Sequence, residues 1–551
     1  MRSPRELTSS RGAVLATMHK NLFAEKRVQL SGPRQLLLVV LLLVLAGGIW
    51  YLFFSLNYYQ EYGDGLDYAQ IAENVYSSKG MVTKTYPLFG LNFLQARDLI
   101  DKEWPNLHRF PMPIYMTALM FRLFGVNNFA VAIWPGLLYV LSIPLLYLLS
   151  RRMLRSTLNA LFLTAIVMLN PIILRYSIAN TTEMASILLF LLLIYVLQTS
   201  CGYKYLLAGL ILGVFYYNRY NIILFVPILT LFIILFEQEN KGRNVLGLIG
   251  AFVVVVLPWF AYNYRHAGYP LFSLTAEADF PVYTDKYPYL HSLWFGLDDV
   301  HQWEFLLAYP GQVLIKWVGQ LRRTAQHFPW LVGDNVYLFA FFFVGLFAIG
   351  QDPKKTRLKL LVLILFISQV LVMSFYVNVA RFYAYFIPFF ILFGFDYFTT
   401  VVTHLPLKKW IQHSFIILLV IFSCAYGVKE VVKGPRYRGV DFGIGSEMQK
   451  NLSSLNASVS PGDVTSSDIV VATGMYVAGR SIPLPKDYET LKRTQKEFLP
   501  VNYILLSDYV LTKEIWKEWW PVFQERRGIE GFTLHRVFSD GTLLYLSEDW
   551  D

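Results

Sequence analysis

Long hydrophobic runs separated by short polar segments make up most of the chain between residues 35 and 428. Runs of about 15–22 residues with few charges are typical of membrane-spanning helices. The pattern predicts an α-helical polytopic membrane protein with about eleven spans, and up to about thirteen. The fifth and sixth runs are short enough for a re-entrant pair, so the count is open by one or two. The spans are expected near residues 35–56, 128–149, 158–174, 180–199, 203–218, 220–236, 244–263, 335–350, 357–377, 382–402 and 410–428.

Three longer polar segments interrupt or follow these runs, at residues 57–127, 264–334 and 430–551. The positive-inside rule places the loops rich in Lys and Arg on the cytoplasmic side. With the N-terminus inside, the cytoplasmic loops are 150–157, 200–204, 237–243, 351–356 and 403–409, and each of them carries Lys or Arg. These basic residues are Arg151, Arg152, Arg155, Lys204, Lys241, Arg243, Lys354, Lys355, Lys408 and Lys409. We therefore expect residues 1–34 to form a cytoplasmic basic arm. Residues 35–429 form the transmembrane domain, and the two long loops and residues 430–551 lie outside. The first run is too long for a cleaved signal sequence and is expected to be an anchor.

The first outer loop shows helical periodicity at residues 67–75, with Tyr68, Ile71, Ala72 and Val75 on one face. This spacing predicts an amphipathic helix lying on the membrane surface. A second helix is expected at residues 114–124, ending at Gly125. The second outer loop, 264–334, is rich in aromatic residues and proline, so we expect it to pack against the membrane surface or the spans.

The last 120 or so residues are soluble in composition and alternate between strand-like and helix-like segments. Residues 468–472 and 502–506 are predicted strands, and 486–498 and 513–525 are predicted helices. A hairpin is expected between 532–538 and 542–548, around Asp540-Gly541. The order predicts a small α/β domain at residues 430–551.

Composition supports an integral membrane protein, with 55% hydrophobic and 16% charged residues and a mean hydropathy of +0.43. Soluble domains carry about 25% charged residues. The net charge of +10 is explained by the basic loops, so nucleic acid is not expected as a partner. Two cysteines provide neither a disulfide framework nor a thiolate metal site. The motifs of nucleotide-binding loops, dinucleotide folds, zinc proteases and serine hydrolases are absent.

Candidate chemistry begins with Asp64, directly outside the first run in Gly63-Asp64-Gly65. An Asp in a glycine turn is a common structural arrangement, and Asp67, a possible second acid, has a helix N-cap as its simplest role. Basic residues at the outer ends of runs are less expected under the positive-inside rule. Taken singly, each of them is a snorkelling anchor; taken together, they could bind a phosphate group. These residues are Lys84, Arg109, Arg219, Arg265 and Arg381.

Aromatic and histidine side chains on the same side have two interpretations. Tyr68, His108, Tyr217 and Tyr264 either line a sugar or acceptor pocket or belong to the interfacial aromatic belt. Asp64, His108 and His266 are possible oxygen and nitrogen ligands for a divalent metal, although no ligand spacing supports the site. No other cofactor is indicated.

Several of these residues resemble the motifs of a known family. Asp64 followed by Tyr68-Ala69-Gln70-Ile71-Ala72 resembles the first outer loop of the GT-C glycosyltransferases. The group that includes the bacterial lipid A aminoarabinose transferase and relatives of the protein O-mannosyltransferases is the most similar. Further segments follow in family order: Arg109-Phe110-Pro111-Met112-Pro113, Leu123-Phe124-Gly125, Arg219, Pro258-Trp259, Asn263-Tyr264-Arg265, Arg381-Phe382 and Ala478-Gly479-Arg480. Relatives usually have Asp-Glu where this chain has Asp64-Gly65, which leaves the sugar and any metal role open.

The resemblance implies a polyprenyl-phosphate-linked sugar donor, an inverting transfer on the outer face of a bacterial inner membrane, and a lipid, glycan or protein acceptor. It also implies that Asp64 is the catalytic carboxylate and that the outer basic residues bind the donor phosphate. Two alternatives remain from the residues themselves. One is a transporter or lipid-linked-sugar flippase, which buried charges within the spans would favour. The other is a non-catalytic scaffold whose tail binds a partner.

Overall fold

The computed structural model of the protein describes residues 32–57, 63–331, 340–341, 344–345, 347–348, 352–432 and 446–548. Nearly all of the predicted basic arm and most of the predicted span at 335–350 lie outside these residues. The helices before the tail, in chain order, are α1 (Gly32–Leu56), α2 (Gly63–Tyr76), α3 (Gly90–Gln95), α4 (Pro111–Phe124), α5 (Asn128–Leu154), α6 (Thr157–Met168), α7 (Pro171–Tyr176), α8 (Glu183–Leu197), α9 (Lys204–Asn218), α10 (Phe225–Phe236), α11 (Lys241–Ala267), α12 (Leu274–Asp279), α13 (Gln302–Ala308), α14 (Pro310–Leu331), α15 (Pro353–Met373), α16 (Ile387–His404) and α17 (Lys409–Val432). Two 3₁₀ helices, Tyr220–Leu224 and Ala380–Phe386, lead into α10 and α16.

Within the described residues, six helices are long and apolar enough to cross a membrane. They are α1, α5, α11, α15, α17 and the continuous helix formed by Ala380–Phe386 with α16. Shorter apolar helices occur at α6, α8 and Tyr220–Phe236. The protein is therefore built on a bundle of apolar helices, and the count of eleven spans stays a prediction.

The predicted span at 158–174 is divided into α6 and α7. Helix α6 ends at Met168, and Asn170 caps α7, because its side-chain oxygen accepts hydrogen bonds from the backbone N–H groups of Ile172 and Ile173. Pro171 occupies the first turn of α7, where its missing N–H costs nothing. A hydrophobic run alone does not reveal this break, because the cap is a local polar contact.

Helix α2 contains the predicted helix but is longer, and it is buried on its polar face as well, unlike the amphipathic surface helix that was predicted. Ten of its residues are buried, and these include the polar Asp67, Gln70 and Asn74 as well as the apolar face. The helix packs between α4 and a helix of the C-terminal domain. Helix α4 occurs where a second helix was predicted, and it ends at Gly125, whose φ of 76° favours glycine.

The second long loop is more helical than its composition indicates. It contains α12 and α13, and α14 packs against the 3₁₀ helix Ala380–Phe386. Both long loops and the C-terminal domain share one hydrophobic core, with residues such as Trp104, Leu293 and Ile504. The three large segments that were predicted to lie on the same side are thus assembled together at one end of the bundle.

Residues 446–548 form a five-stranded sheet flanked by helices. The strands are β3 (Val464–Ser467), β4 (Arg480–Pro483), β5 (Tyr503–Leu506), β6 (Phe532–Val537) and β7 (Leu543–Ser547), after a short pair in the first loop, β1 (Val82–Thr83) with β2 (Trp104–Pro105). The helices are α18 (Ser446–Ser454), α19 (Val470–Tyr476), α20 (Tyr488–Glu497) and α21 (Trp520–Glu525), with 3₁₀ helices at Leu455–Ala457, Asp508–Thr512 and Glu514–Trp519. The sheet order is β4-β3-β5-β7-β6, parallel between β4, β3 and β5 and antiparallel beyond β5.

Two predictions for this segment are wrong in detail. Residues 468–472 are not a strand. The carboxylate of Asp468 accepts hydrogen bonds from the Ser507 N–H and hydroxyl, and α19 begins two residues later. Residues 513–525 do not form one helix but the 3₁₀ helix Glu514–Trp519 followed by α21. The buried indoles of Trp516 and Trp519 donate to the Leu484 and Pro485 carbonyls and hold this segment in place.

The first loop also extends the edge of this sheet. Thr85 forms a parallel bridge with Ser481 of β4. The Ser481 N–H donates to the Lys84 carbonyl at 2.8 Å, and the Tyr86 N–H donates to the Ser481 carbonyl at 3.2 Å. The C-terminal domain is therefore joined by backbone hydrogen bonds to the loop that follows α2.

Candidate functional site

Asp67 is the centre of a buried hydrogen-bond network. It is 2% exposed, and its carboxylate has four donors. One oxygen accepts from the Thr85 hydroxyl at 2.7 Å and the Gln70 amide at 3.1 Å. The other lies 3.0 Å from His108 Nε2 and accepts from Arg109 Nε at 2.5 Å. Every acceptor position of Asp67 is thus used to hold protein groups in place.

Asp64 lies one turn earlier on α2 and is more open, with its side chain 27% exposed. Arg109 Nη1 is 2.9 Å from one carboxylate oxygen, and Arg381 pairs with the other. Arg109 therefore bridges the two acids, while Arg381 comes from the distant 3₁₀ helix Ala380–Phe386. Burial raises the pKa of Asp64, but Arg381 and Arg109 outweigh it and hold the pKa well below its usual value, so the carboxylate is ionised at neutral pH.

A second acid–arginine pair lies beside the first. Glu183 is 1% exposed at the first position of α8, and its Oε1 accepts from Arg219 Nη2 at 2.8 Å. Arg219 directly follows α9, is 3% exposed, and also donates through Nε to the Ser186 hydroxyl. Arg381 Nε approaches the same Glu183 oxygen at 4.0 Å and so connects the two pairs.

These contacts define one group, which we call the Asp64 cluster: Asp64, Asp67, His108, Arg109, Glu183, Arg219 and Arg381. Its three carboxylates balance its three guanidinium groups, and Tyr68 lies against it with its ring 5.6 Å from the Arg109 guanidinium. Such a cluster offers forked cationic donors beside an ionised, partly exposed carboxylate. That combination suits an anionic group such as a phosphate next to a proton acceptor.

The second loop contributes two titratable groups that face the cluster. Burial raises the pKa of Asp279 to about 7, opposed by Lys316 and by Arg109 and Arg381 of the cluster. Burial lowers the pKa of His291 to about 4, so this imidazole is neutral at physiological pH. The loop is fastened to the cluster by the Thr275 hydroxyl, which donates to the His108 carbonyl at 2.8 Å.

Of the predicted site residues, the structure assembles Asp64, Asp67, Tyr68, His108, Arg109, Arg219 and Arg381. Arg265 and Tyr264 have exposed side chains, and among the described residues Arg265 has neither a hydrogen bond nor an ion pair. Burial lowers the pKa of Lys84, and the charges acting on it are those of Glu73 and Lys79 rather than the cluster. Tyr217 donates its hydroxyl to the Val255 carbonyl.

The possible metal ligands do not come together. The His266 ring lies 4.6 Å from that of Tyr262 on α11. In the part of the chain that the structure describes, no group of three or more His, Cys, Asp or Glu side chains is arranged to hold a metal ion. Asp64 and His108 are instead engaged by arginine and by Asp67.

Glu183, Asp279 and His291 were missed by the sequence interpretation. Glu183 carried a usable signal, since an acid at the start of a strongly apolar helix is costly unless it is paired or functional. Asp279 and His291 lie in an irregular loop, where only the tertiary structure brings them to the cluster.

Comparisons with known proteins bear on the family and the fold. Residues 108–262 match the family model described as dolichyl-phosphate-mannose-protein mannosyltransferase. The structure is similar to crystal structures of ArnT from Cupriavidus metallidurans. The apo form has a TM-score of 0.52 at 12% identity, covering 92% of this chain and 97% of ArnT. The form bound to undecaprenyl phosphate also has a TM-score of 0.52, at 13% identity, covering 94% and 98%.

The chain has the fold of the GT-C glycosyltransferases. A cryo-EM structure of the arabinofuranosyltransferase AftD from Mycobacteria is similar as well, with a TM-score of 0.50 at 12% identity over 92% of this chain and 40% of AftD. No curated protein sequence matches significantly. The resemblance inferred from the loop motifs is confirmed at the level of the fold, and with the apolar helices the GT-C fold indicates an integral membrane protein.

Proposed function

We propose that this chain is an inverting glycosyltransferase that moves a sugar from a polyprenyl-phosphate-linked donor to an acceptor hydroxyl on the outer face of the membrane. The observation that carries the proposal is the Asp64 carboxylate held between Arg109 and Arg381 at the loop-bearing end of an apolar bundle. The matched mannosyltransferase model is named for a lipid-phosphate sugar donor, and one similar ArnT structure contains undecaprenyl phosphate. Both support a lipid-phosphate donor here.

The reaction can be written with the groups present. The acceptor hydroxyl attacks the anomeric carbon from the side opposite the phosphate, and Asp64 takes the hydroxyl proton. The bond between the anomeric carbon and the phosphate oxygen breaks, and polyprenyl phosphate leaves. Arg109 and Arg381 stabilise the negative charge that develops on the leaving phosphate. As they turn from Asp64 to the phosphate, the carboxylate loses its strongest partners and becomes a better base.

The buried pair of Glu183 and Arg219 supports the donor site in this proposal. Glu183 keeps Arg219 and Arg381 oriented, so both guanidinium groups can face one phosphate without mutual repulsion. A flippase would also use buried charges. Here, however, the pair lies at the ends of α8 and α9 rather than in the middle of a span.

The proposal is tested by identifying the co-purified lipid by mass spectrometry, and by measuring release of free polyprenyl phosphate from a membrane lipid extract. The Asp64→Asn variant should lose at least about a hundredfold in turnover, the usual contribution of a general base. Asp98→Asn is a matched control in the same loop, because Asp98 is exposed and its φ of 54° suits Asn as well.

Full turnover by a correctly folded Asp64→Asn variant would refute the assignment of Asp64 as the base. Movement of the lipid-linked sugar across the membrane without release of polyprenyl phosphate would favour the flippase instead.

A further inference from the structure

Gly474 of α19 lies directly against the loop that follows α2. A Cβ atom on this glycine would be 2.2 Å from the Thr85 Cγ2 methyl and 3.7 Å from Thr85 Cβ. Real Cβ atoms do not approach another carbon to 2.2 Å, so the methyl group occupies space that exists only because residue 474 has no side chain. Gly474 is buried, and the helix that carries it packs on α2.

Thr85 cannot withdraw from this contact without losing its own anchors. Its neighbours Lys84 and Tyr86 exchange backbone hydrogen bonds with Ser481 of β4. Gly474 and Ser481 both belong to the C-terminal domain, so that domain contacts Thr85 from two directions. The tail sheet and helix therefore help to set the position of Thr85, together with Gln70 of α2, which holds the neighbouring Lys84 N–H.

The Thr85 hydroxyl connects this contact to the Asp64 cluster. It donates to Asp67 Oδ1 at 2.7 Å, and Asp67 Oδ2 accepts from Arg109 Nε at 2.5 Å. Arg109 in turn reaches Asp64 through Nη1 at 2.9 Å. A displaced Thr85 would rotate or release the Asp67 carboxylate, and the Arg109 fork would move with it.

We propose that Gly474 is a positioning residue of the C-terminal domain that, through Thr85 and Asp67, orients the phosphate-binding fork of Arg109. The inference rests on the proposed function, because it assumes that Arg109 binds the donor phosphate. It assigns the C-terminal domain an indirect part in donor binding, through the loop that follows α2.

The experiment uses the full-length protein in detergent and measures its affinity for undecaprenyl phosphate, alongside thermal unfolding. Gly474→Ala should weaken binding about tenfold, as expected for the loss of one charge-assisted hydrogen bond. Helix propensity does not explain such a loss, since Ala is the better helix former. Thr85→Ser keeps the hydroxyl and removes the methyl, so this variant should bind within about threefold of wild type.

The decisive variant combines the two changes. In Gly474→Ala/Thr85→Ser the new Cβ fills the space left by the methyl, and affinity should return to within about threefold of wild type. Gly479→Ala is the matched control. Its Cβ would meet the Asp463 carbonyl at 2.5 Å inside the C-terminal domain without contacting the loop. It should lower the unfolding temperature of the domain and leave affinity unchanged.

An unchanged affinity in Gly474→Ala would overturn the inference, as would a folded double variant as weak as the single one. An equal loss of affinity in Gly479→Ala would show that the effect of Gly474→Ala comes from general destabilisation of the domain, and this result would also overturn the inference. In each case the proposed function stands if Asp64→Asn still abolishes turnover. If the wild type does not bind undecaprenyl phosphate, the polyprenyl-phosphate site falls and the inference falls with it.

Discussion

Replacing Asp67 by asparagine tests whether this buried acid holds the site together or acts in the chemistry. An amide has one acceptor oxygen, so two of the four donors to Asp67 lose their partner, whichever way the amide turns. With the amide nitrogen at the Oδ2 position, Arg109 Nε and His108 Nε2 face another donor. Each hydrogen bond to a charged group is worth about 1.5–3 kcal/mol, and breaking a buried ion pair costs about 3–5 kcal/mol.

We expect Asp67→Asn to lower the free energy of unfolding by about 3 kcal/mol, near the lower end of that range. Arg109 keeps its contact with Asp64 and its side chain is 15% exposed, so the loss of stability is smaller than for a fully buried and unpaired charge. Denaturant unfolding followed by tryptophan fluorescence measures the free energy of unfolding of the variant and the wild type. Asp98→Asn makes the same chemical change at an exposed site and should alter stability by less than about 0.5 kcal/mol.

A stable Asp67→Asn variant would refute the argument that Asp67 is a structural hub. If such a variant were folded but inactive, Asp67 would instead be the second acid that the sequence allowed. Asp64→Asn should show the opposite profile, with a large loss of turnover and a smaller loss of stability.

The remaining predictions concern pH and the arginines. Burial raises the pKa of Asp67, but Arg109 and His108 outweigh it and the net shift is strongly downward. The stability that Asp67 contributes is thus fully present above its unfolded pKa of about 3.9. The difference in unfolding free energy between wild type and Asp67→Asn should stay constant from pH 8 to about 5 and shrink below about pH 4. Arg219→Gln should cost about 3–5 kcal/mol by leaving Glu183 buried with only the 4.0 Å contact to Arg381, and adding Glu183→Gln should recover most of it, as measured by thermal unfolding. Arg381→Gln should weaken undecaprenyl phosphate binding about tenfold or more, whereas Arg265→Gln, at an exposed position, should change the affinity by less than about threefold. An equal loss of affinity in both variants would indicate that Arg265 also binds the donor phosphate.

The local motifs predicted more of the site than the hydrophobic pattern did. Asp64, Arg109, Arg219 and Arg381 were singled out from separate segments, and the structure brings all four together. Arg265 was chosen by the same reasoning and is exposed, because a basic residue at the end of a run looks the same whether it faces the cluster or the surroundings. Glu183 was missed because it lies within an apolar stretch that is interpreted as a span.

Segments governed by side-chain contacts were the hardest to predict. Residues 468–472 look like a strand by composition, but the hydrogen bonds of Asp468 to Ser507 redirect the chain into a helix. The burial of the polar face of α2 was not predicted because periodicity describes one apolar face, whereas the C-terminal domain and α4 cover the polar face as well.

The sequence by itself determined the class of protein and singled out the candidate residues of the site. Long apolar runs indicate an integral membrane protein because a helix of about 20 apolar residues is long enough to cross the hydrocarbon core of a bilayer. The order of short motifs pointed to the GT-C fold. Only the tertiary structure distinguished the environments of the two neighbouring acids. Asp67 is saturated by four donors, while Asp64, one turn away, remains partly open and faces arginines separated from it by up to 317 residues of chain. That distinction depends on distances between remote segments, which no local pattern records.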